Sequence, residues 1–345
     1  MSKDLLSFTL VRLVRETLIL TDEDVKKLLD MREVMEVVER AFKEKGLGRV
    51  QMPKKSYIFY DKYEGDLRVM PSYLEVLDVS AVKVVNSHPR NRIKYGLPTV
   101  MAVVVLVDPK SGFPMAIMSG SWLTAMRTGA AGGVAAKYLA REESETLCFI
   151  GAGTQARTQL MALSLVLKAI KHVKVYDVDE GASRGFADFS SKVVEGSKVE
   201  VCETPRKAVE EADVVTTATP SREPIVMNDW VKRGTHINCI GADAPGKEEI
   251  DPRILLRAKV VVDDVEQAVH GGEINVPIAK GLFRREQIYG ELGEIIAGLK
   301  KGRERADEIT VFTSTGLAIQ DAVTANLAYD KAVARGLGMR IRLVV

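Results

Sequence analysis

Polar and apolar positions follow two rhythms along this chain, and their order predicts the architecture. Thr21 followed by Asp22, Glu23 and Asp24 is a helix start, with a hydroxyl cap and acids at the positive end of the dipole; Val25, Leu28 and Leu29 supply the apolar stripe. Val34, Val37, Val38, Ala41 and Phe42 recur at helical spacing in a second helix that should stop near Gly46 to Gly48. From Lys55 to about Val107 the rhythm changes to short β-rich runs broken by Gly and Pro: Ser56 to Tyr60, Leu67 to Met70, Val82 to Val85 and Thr99 to Val107. An antiparallel sheet is expected there. Beyond Trp122 the pattern is helical again and rich in small residues, Thr128 to Ala136, which suits close packing against another element.

From Thr146 onward, apolar strand runs alternate with helical stretches. The runs are Leu147 to Ile150, Val173 to Tyr176, Val199 to Val201, Val214 to Thr217, His236 to Ile240, Val260 to Val262 and Thr310 to Phe312. Their alternation predicts an α/β fold with a Rossmann-type, doubly wound parallel sheet, its first helix falling over Gln159 to Ile170. A last helix, Gly316 to Ala334, follows the sheet and is expected to return to the first domain. With 345 residues the chain exceeds the roughly 250–300 at which single cores stop growing. Two domains are therefore expected: an α+β domain over 1–126, completed by 316–345 and so built from both chain ends, and the Rossmann domain over 127–315.

Composition narrows the class. The net charge of +2 arises from nearly balanced acids and bases, 47 against 49, so nothing calls for nucleic acid or an anionic membrane. Leu5 to Val14 is mildly apolar, but Arg12, Arg15 and Glu16 interrupt it and no small-residue cleavage site follows. Neither export nor spanning fits, and the protein is expected in the cytoplasm. Cys148, Cys202 and Cys239 lack the spacing of a zinc site or redox pair and read as reduced core thiols. His88, His172, His236 and His270 include no pair at metal-ligand spacing, so a metal-free mechanism is expected.

The strand Leu147 to Ile150 runs directly into Gly151-Ala152-Gly153-Thr154-Gln155-Ala156, and a second strand ends in Asp177. A lone glycine motif would mean little; strand, turn, helix, second strand and terminal acid in this order form a dinucleotide fingerprint. Gly151 permits the tight turn, Gly153 lets the backbone approach a pyrophosphate, and Ala156 keeps helix and strand close. Asp177 is expected to accept from the adenine ribose hydroxyls, favouring NAD over NADP, while Arg184 nearby works against that preference.

Oxidising an amino acid by hydride transfer also needs a cationic clamp for the carboxylate, a group to manage protons, and dry walls. Lys55, Arg68, Lys83 and Arg127 are the candidate cations. Lys83 interrupts the apolar run Ala81 to Val85, and Arg127 interrupts the small-residue stretch. A cation in such a run either snorkels to solvent or faces an anion in a pocket, and alternate strand residues also face water. Asp243, in the loop after the His236 to Ile240 run, is the acid–base candidate, because ligands of open α/β sheets bind beyond the strands' carboxyl ends. An Asx-turn or helix cap is the other reading of an Asp beside Gly and Pro.

Taken together, these motifs resemble the ornithine cyclodeaminase/μ-crystallin family from about Thr17 to the C-terminus. The likeness rests on Leu67-Arg68-Val69-Met70-Pro71, Lys83 to Pro89, Gly96 to Val100, Arg127-Thr128, the glycine fingerprint, Gly241-Ala242-Asp243 with Gly246-Lys247, and Ser314-Thr315-Gly316. The resemblance implies that Lys83 and Arg127, with Lys55, hold a substrate carboxylate, and that Asp243 handles proton and water chemistry at an imine carbon. It also implies NAD contacts from Thr99, Arg127, Thr128, Thr154, Gln155, Asp177, Thr219, Asn238, Lys247 and Ser314, and a homodimer joined through the β-rich first domain. Cyclodeaminase members resemble Glu-Leu-Met-Pro where this chain has Arg68-Val69-Met70-Pro71. An Arg there repels a second ammonium and is similar to the family's archaeal alanine-oxidising branch. The implied substrate is a small L-amino acid or its 2-oxo acid, and the implied reaction is the reversible oxidation of L-alanine to pyruvate and ammonia. Cyclisation of ornithine, reduction of a cyclic ketimine such as pyrroline-2-carboxylate, and dinucleotide binding without turnover are the rival readings.

Overall fold

The computed structural model describes residues 15–344, and the Leu5 to Val14 stretch lies outside the described residues. The chain enters through β1 (Thr17–Leu20), α1 (Asp22–Leu28) and α2 (Met31–Gly46). The Thr21 hydroxyl accepts from Asp24 N, the cap expected from the sequence, and Asp24 Oδ2 accepts from Thr21 N in return, which makes the cap reciprocal. Val34, Val38, Ala41 and Phe42 of α2 are buried, and the opposite face of the helix meets water.

Strands β2 (Val50–Gln51), β3 (Ser56–Tyr60), β4 (Gly65–Leu74) and β5 (Val79–Ser87), helix α3 (Asn91–Tyr95), and strands β6 (Val100–Val107) and β7 (Pro114–Ser119) follow. With β16 (Met339–Ile341) from the far end of the chain they form one sheet in the order β16-β1-β7-β6-β5-β4-β2, with β3 also paired to β4. From β3 to β6 every pairing is antiparallel, as expected for Lys55 to Val107, and the sheet becomes mixed only beyond that span, where β1 pairs parallel with β7. Three of its strands carry no readable signal: β1 is a four-residue apolar run without alternation, β7 opens on Pro114, and β16 is three residues long.

Helix α4 (Ser121–Leu139) leads into the second sheet. There β8 (Thr146–Ile150), α5 (Thr154–Val166), β9 (His172–Tyr176), α6 (Glu180–Val193), β10 (Lys198–Val201), α7 (Pro205–Val209) and β11 (Val214–Thr217) alternate as the periodicity predicts. β12 (His236–Cys239), α8 (Pro252–Leu255), β13 (Ala258–Val262), α9 (Val265–Gly271), α10 (Asn275–Ala279), β14 (Gly290–Glu291), α11 (Leu292–Ile296) and β15 (Ile309–Thr313) complete it. The order is β10-β9-β8-β11-β12-β15-β13-β14, and every pairing is parallel. The chain is thus an α/β protein with a Rossmann-type sheet beside a mixed one. Winding reverses between β8 and β11, which places a crevice beyond Ile150 and Thr217.

Two helix bounds differ from expectation. α5 starts at Thr154 and stops at Val166, because its polar first turn lies on the glycine loop and Leu167 is already extended. α12 (Ala318–Arg335) starts after Gly316, whose φ of +77° no helix contains. α12 returns to the first sheet and packs on β4, β5 and β6.

The small residues of α4 serve its crossing with α5. A Cβ at Gly129 would lie 2.5 Å from Thr158 O, and one at Gly133 would lie 2.7 Å from the Ala162 Cβ. The same helix packs on α2, α12 and β12, so it links the cores of both sheets. All three cysteines are buried and unpaired. No helix among the described residues is long and apolar enough to cross a membrane.

Gly129→Ala should lower the urea midpoint, although alanine is favoured over glycine inside a helix by about 1 kcal/mol, because overpacking against rigid backbone costs roughly 1–3 kcal/mol. A raised midpoint would show that the two helices are free to separate.

Candidate active site

Beyond Ile150 the backbone turns at Gly151 with φ of +97°, and a Cβ there would sit 2.7 Å from Ala218 O. Only glycine fits where the turn crosses the end of β11. A Cβ on Gly153 would meet nothing within 4 Å, so its outer side is open. No side chain caps α5, which leaves its first N–H groups facing that space as an anion site. Ser314 Oγ and Gln155 Oε1 are buried without a hydrogen-bond partner, the condition of polar atoms awaiting a ligand. Asp177 Oδ2 accepts from Ala152 N at 2.8 Å and Oδ1 from Asp179 N at 2.9 Å, so the terminal acid also orders the glycine turn. These residues fit a dinucleotide.

A fully buried carboxylate braces the adjoining loops. Glu249 Oε1 accepts from the Thr219 N–H and hydroxyl at 2.7 and 2.8 Å, and Oε2 from the Thr217 hydroxyl and Gly241 N, both at 2.8 Å. It therefore ties the end of β11 to the loop after β12. The Thr219 hydroxyl oxygen also accepts from Ser221 N at 3.3 Å, which fixes the turn after β11. Glu273 Oε1 in turn accepts from Glu249 N and Ile250 N, both at 2.7 Å. Burial and the neighbouring Glu249 charge push Glu273 well above the usual carboxyl range.

Asp243 follows on the same loop and caps no helix. Its Oδ1 takes the Lys247 ammonium at 2.6 Å and its Oδ2 takes Arg68 Nη1 at 3.0 Å. Burial alone would raise this carboxyl, but the Lys247 and Arg68 charges outweigh it and hold Asp243 below the usual range. Arg68 makes two further bonds to Asp66, both at 2.9 Å, and lies over the Tyr57 ring. Its guanidinium is thus engaged by two acids of the chain itself.

Lys83 on β5 is 1% exposed and Arg127 on α4 is 6% exposed, so neither snorkels. Both donate to one oxygen, Asp321 Oδ1, at 2.8 and 2.9 Å. Asp321, itself 1% exposed, comes from α12. Burial, then the Arg127 charge, bring the Lys83 ammonium down to about 7 against the pull of Asp321. Lys55 donates to Thr315 O at 2.6 Å, and burial brings it down to about 8. The same loop is fixed from behind by Asp263, which accepts from Thr315 N at 2.6 Å and Gly316 N at 2.8 Å, and which burial raises to about 6. Gly316 must be glycine on two counts: its φ is positive, and a Cβ would lie 2.5 Å from Arg127 Nη1.

The structure therefore gathers Lys83 and Arg127 on one anion, Arg68 and Lys247 on Asp243, and Lys55 on the Ser314–Gly316 loop. Thr154 is exposed at the start of α5, while the Thr128 hydroxyl donates within α4, to Thr124 O. Two predicted cofactor residues are not drawn into the cluster. Asn238 is fully buried, its amide donating to Gly132 O and its carbonyl meeting His236. Thr99 is exposed in the segment before β6, its carbonyl accepting from His88 N. Arg184 pairs with Glu180 along α6. Asp321, Asp263 and Glu249 are missed by the sequence reading. The available signal was an acid inside an apolar run, Ala318 to Ala328 or Val260 to Val262, the same signal that drew notice to Lys83.

With this geometry in view, comparisons with known proteins give consistent answers. A family model described as "Ornithine cyclodeaminase/mu-crystallin family" matches residues 15–336. Alanine dehydrogenase of Archaeoglobus fulgidus is 50% identical over 95% of this chain and 98% of its own. A solved archaeal structure, described as an alanine dehydrogenase dimer with bound NAD, superposes with a TM-score of 0.91 at 50% identity, over 95% of this chain and all of its own. The Δ1-pyrroline-2-carboxylate reductase of Thermococcus litoralis, solved with NADH and L-proline, gives 0.90 at 45% identity over 94% of this chain and 100% of its own.

Glu249→Ala should leave two backbone N–H groups and two hydroxyls without an acceptor, and lower the unfolding free energy by roughly 2–4 kcal/mol in a urea titration. A wild-type midpoint would mean that the two loops are held by something else.

Proposed function

The chain belongs to the ornithine cyclodeaminase/mu-crystallin family, and on that footing we propose that it oxidises a small L-amino acid, L-alanine, to pyruvate and ammonia with NAD, reversibly. The observation that carries this reading is the pair of buried cations, Lys83 and Arg127, on one oxygen of Asp321. Once Lys83 holds its proton, whether from solvent or from the substrate ammonium, two positive charges against one negative leave the site a carboxylate short. Arg127 Nη2 has no hydrogen-bond partner among the described residues, and Lys55 uses one N–H of three, so donors remain for that carboxylate.

Alanine rather than a diamino acid is supported at the other end of the site. Arg68 and Lys247 balance Asp66 and Asp243, leaving no spare acid for a second ammonium. The 50% identical relative named alanine dehydrogenase supports the same choice.

Bound NAD supplies the hydride acceptor. Arg127 and Lys55 orient the substrate carboxylate, and Lys83 Nζ in its neutral form takes the proton from the substrate ammonium, which frees the amine lone pair as hydride leaves Cα. Asp243, held ionised, accepts a hydrogen bond from the water that adds to the imine carbon. In sum, alanine, NAD and water give pyruvate, ammonium, NADH and a proton.

A second reading, reduction of pyrroline-2-carboxylate, draws support from the 45% identical reductase. It would use the same clamp, with Lys83 donating rather than accepting. A homodimer is supported by the archaeal relative described as one and by exposed apolar side chains of the first domain, among them Ile58 and Phe59 on β3, Ile93 and Tyr95 on α3, Leu97 in the loop that follows and Val100 on β6.

Incubation with NAD and L-alanine should yield NADH and ammonia in equal amounts, and ornithine should yield no proline. Proline from ornithine, with nothing from alanine, would overturn the assignment, and NADH-dependent turnover of pyrroline-2-carboxylate alone would select the second reading. For the oxidation, kcat/KM should rise through about pH 7 as Lys83 loses its proton and fall above about 8 as Lys55 loses its charge. A profile flat across this range would remove both lysines from these roles.

A further inference from the structure

We infer that Asp321 is the positioning residue of the carboxylate clamp: one buried acid on α12 holds Lys83 from β5 and Arg127 from α4 at a common oxygen, and sets how much positive charge the clamp presents. The inference rests on the proposed amino-acid site and deepens it. Asp321 cannot itself receive a carboxylate, being an anion: its Oδ1 accepts from Lys83 and Arg127, and its Oδ2 lies 2.7 Å from the Lys83 ammonium as an ion pair, without a hydrogen bond of its own. It acts through the two cations.

The three side chains come from segments more than 40 residues apart at the least, Lys83 to Arg127, and 238 at the most, Lys83 to Asp321. Nothing local orders them. Lys83 and Arg127 are both buried, and without an anion between them their repulsion in a poorly solvated site would drive them apart. With Asp321 in place the trio carries one net positive charge, the complement of one substrate carboxylate. Gln320, the neighbouring residue on α12, takes Arg127 Nη1 at 3.1 Å and so fixes the rotation of the guanidinium about that anchor.

The groups facing Lys83 are few. Arg127 and Thr124 approach from α4, Asp321 from α12 and Lys55 from the segment before β3. Its cross-strand neighbours, Met70 on β4 and Val104 on β6, are apolar. Arg127 and Lys55 disfavour the ammonium, and among the described residues Asp321 is the one acid in contact with it. Removing that negative charge therefore lowers the pKa of Lys83, and the shift expected from an opposite charge in contact is about one unit or more.

Asp321→Asn keeps the shape and the acceptor but not the charge. In protein carrying 13C-labelled lysine, with Lys83→Arg to identify the signal, NMR should show Lys83 titrating about one unit or more lower in Asp321→Asn than in wild type. The same titration in both proteins would overturn the inference. Should Asp321→Asn fail to fold, Asp321→Glu provides the test: the charge stays and moves by one methylene, so Lys83 should titrate as in wild type while KM for the amino acid rises about tenfold or more. A wild-type KM there would overturn the inference. The NMR readout needs no turnover, so a protein inactive on every amino and imino acid would refute the proposed function while leaving the role of Asp321 to be decided by the titration.

Discussion

A charged side chain survives in a protein interior only where an opposite charge meets it, since desolvation costs several kcal/mol per ion. That constraint organises this molecule around Asp321. Lys83 and Arg127 lie within buried stretches of β5 and α4, and their shared acid comes from α12, the last helix among the described residues. A clamp of two cations on one anion is compact, dry and positive by one. In the proposed function, such a site would suit a small molecule with a single carboxylate and keep an amine within the proton-exchange range of neutral solution.

The fold exists to bring these pieces together. α12 follows the last long strand of the Rossmann sheet, and the loop between them, Ser314 to Gly316, is where the chain passes back to the first sheet. Asp263 grips that loop through two backbone N–H groups, Lys55 reaches it from the other sheet, and Gly316 leaves room for Arg127. Glu249 performs the matching task for the loops after β11 and β12, on which Thr219 and Asp243 stand. Two buried carboxylates thus fix the two sides of the crevice, and the glycine turn at Gly151 forms its third side.

Much of this was legible in the sequence because the signals were local. The strand–glycine–helix order at Leu147 to Ala156 specified the dinucleotide turn, and the interruption of an apolar strand by Lys83 marked a buried cation. What escaped was non-local. β1 and β16 are too short to show a period, and they acquire their identity only by pairing with each other and with β7. Asp321 sits in a helix whose other residues satisfy a helical pattern, so nothing nearby betrays that two cations from distant segments meet on it. Asn238, read as facing a cofactor, instead turns its amide inward to Gly132, because a residue on a central parallel strand has protein on both faces.

A clamp one carboxylate short, as proposed, should fill when a carboxylate is offered. A crystal structure of the NAD complex soaked with pyruvate, or with an unreactive 2-oxo acid analogue, would decide this. The ligand carboxylate should lie within about 3 Å of Arg127 and of Lys83 or Lys55, a charge-assisted hydrogen-bonding distance, with Asp321 still bridging the two buried cations. A carboxylate bound instead to Arg68 alone, with Lys83 and Arg127 untouched, would contradict it.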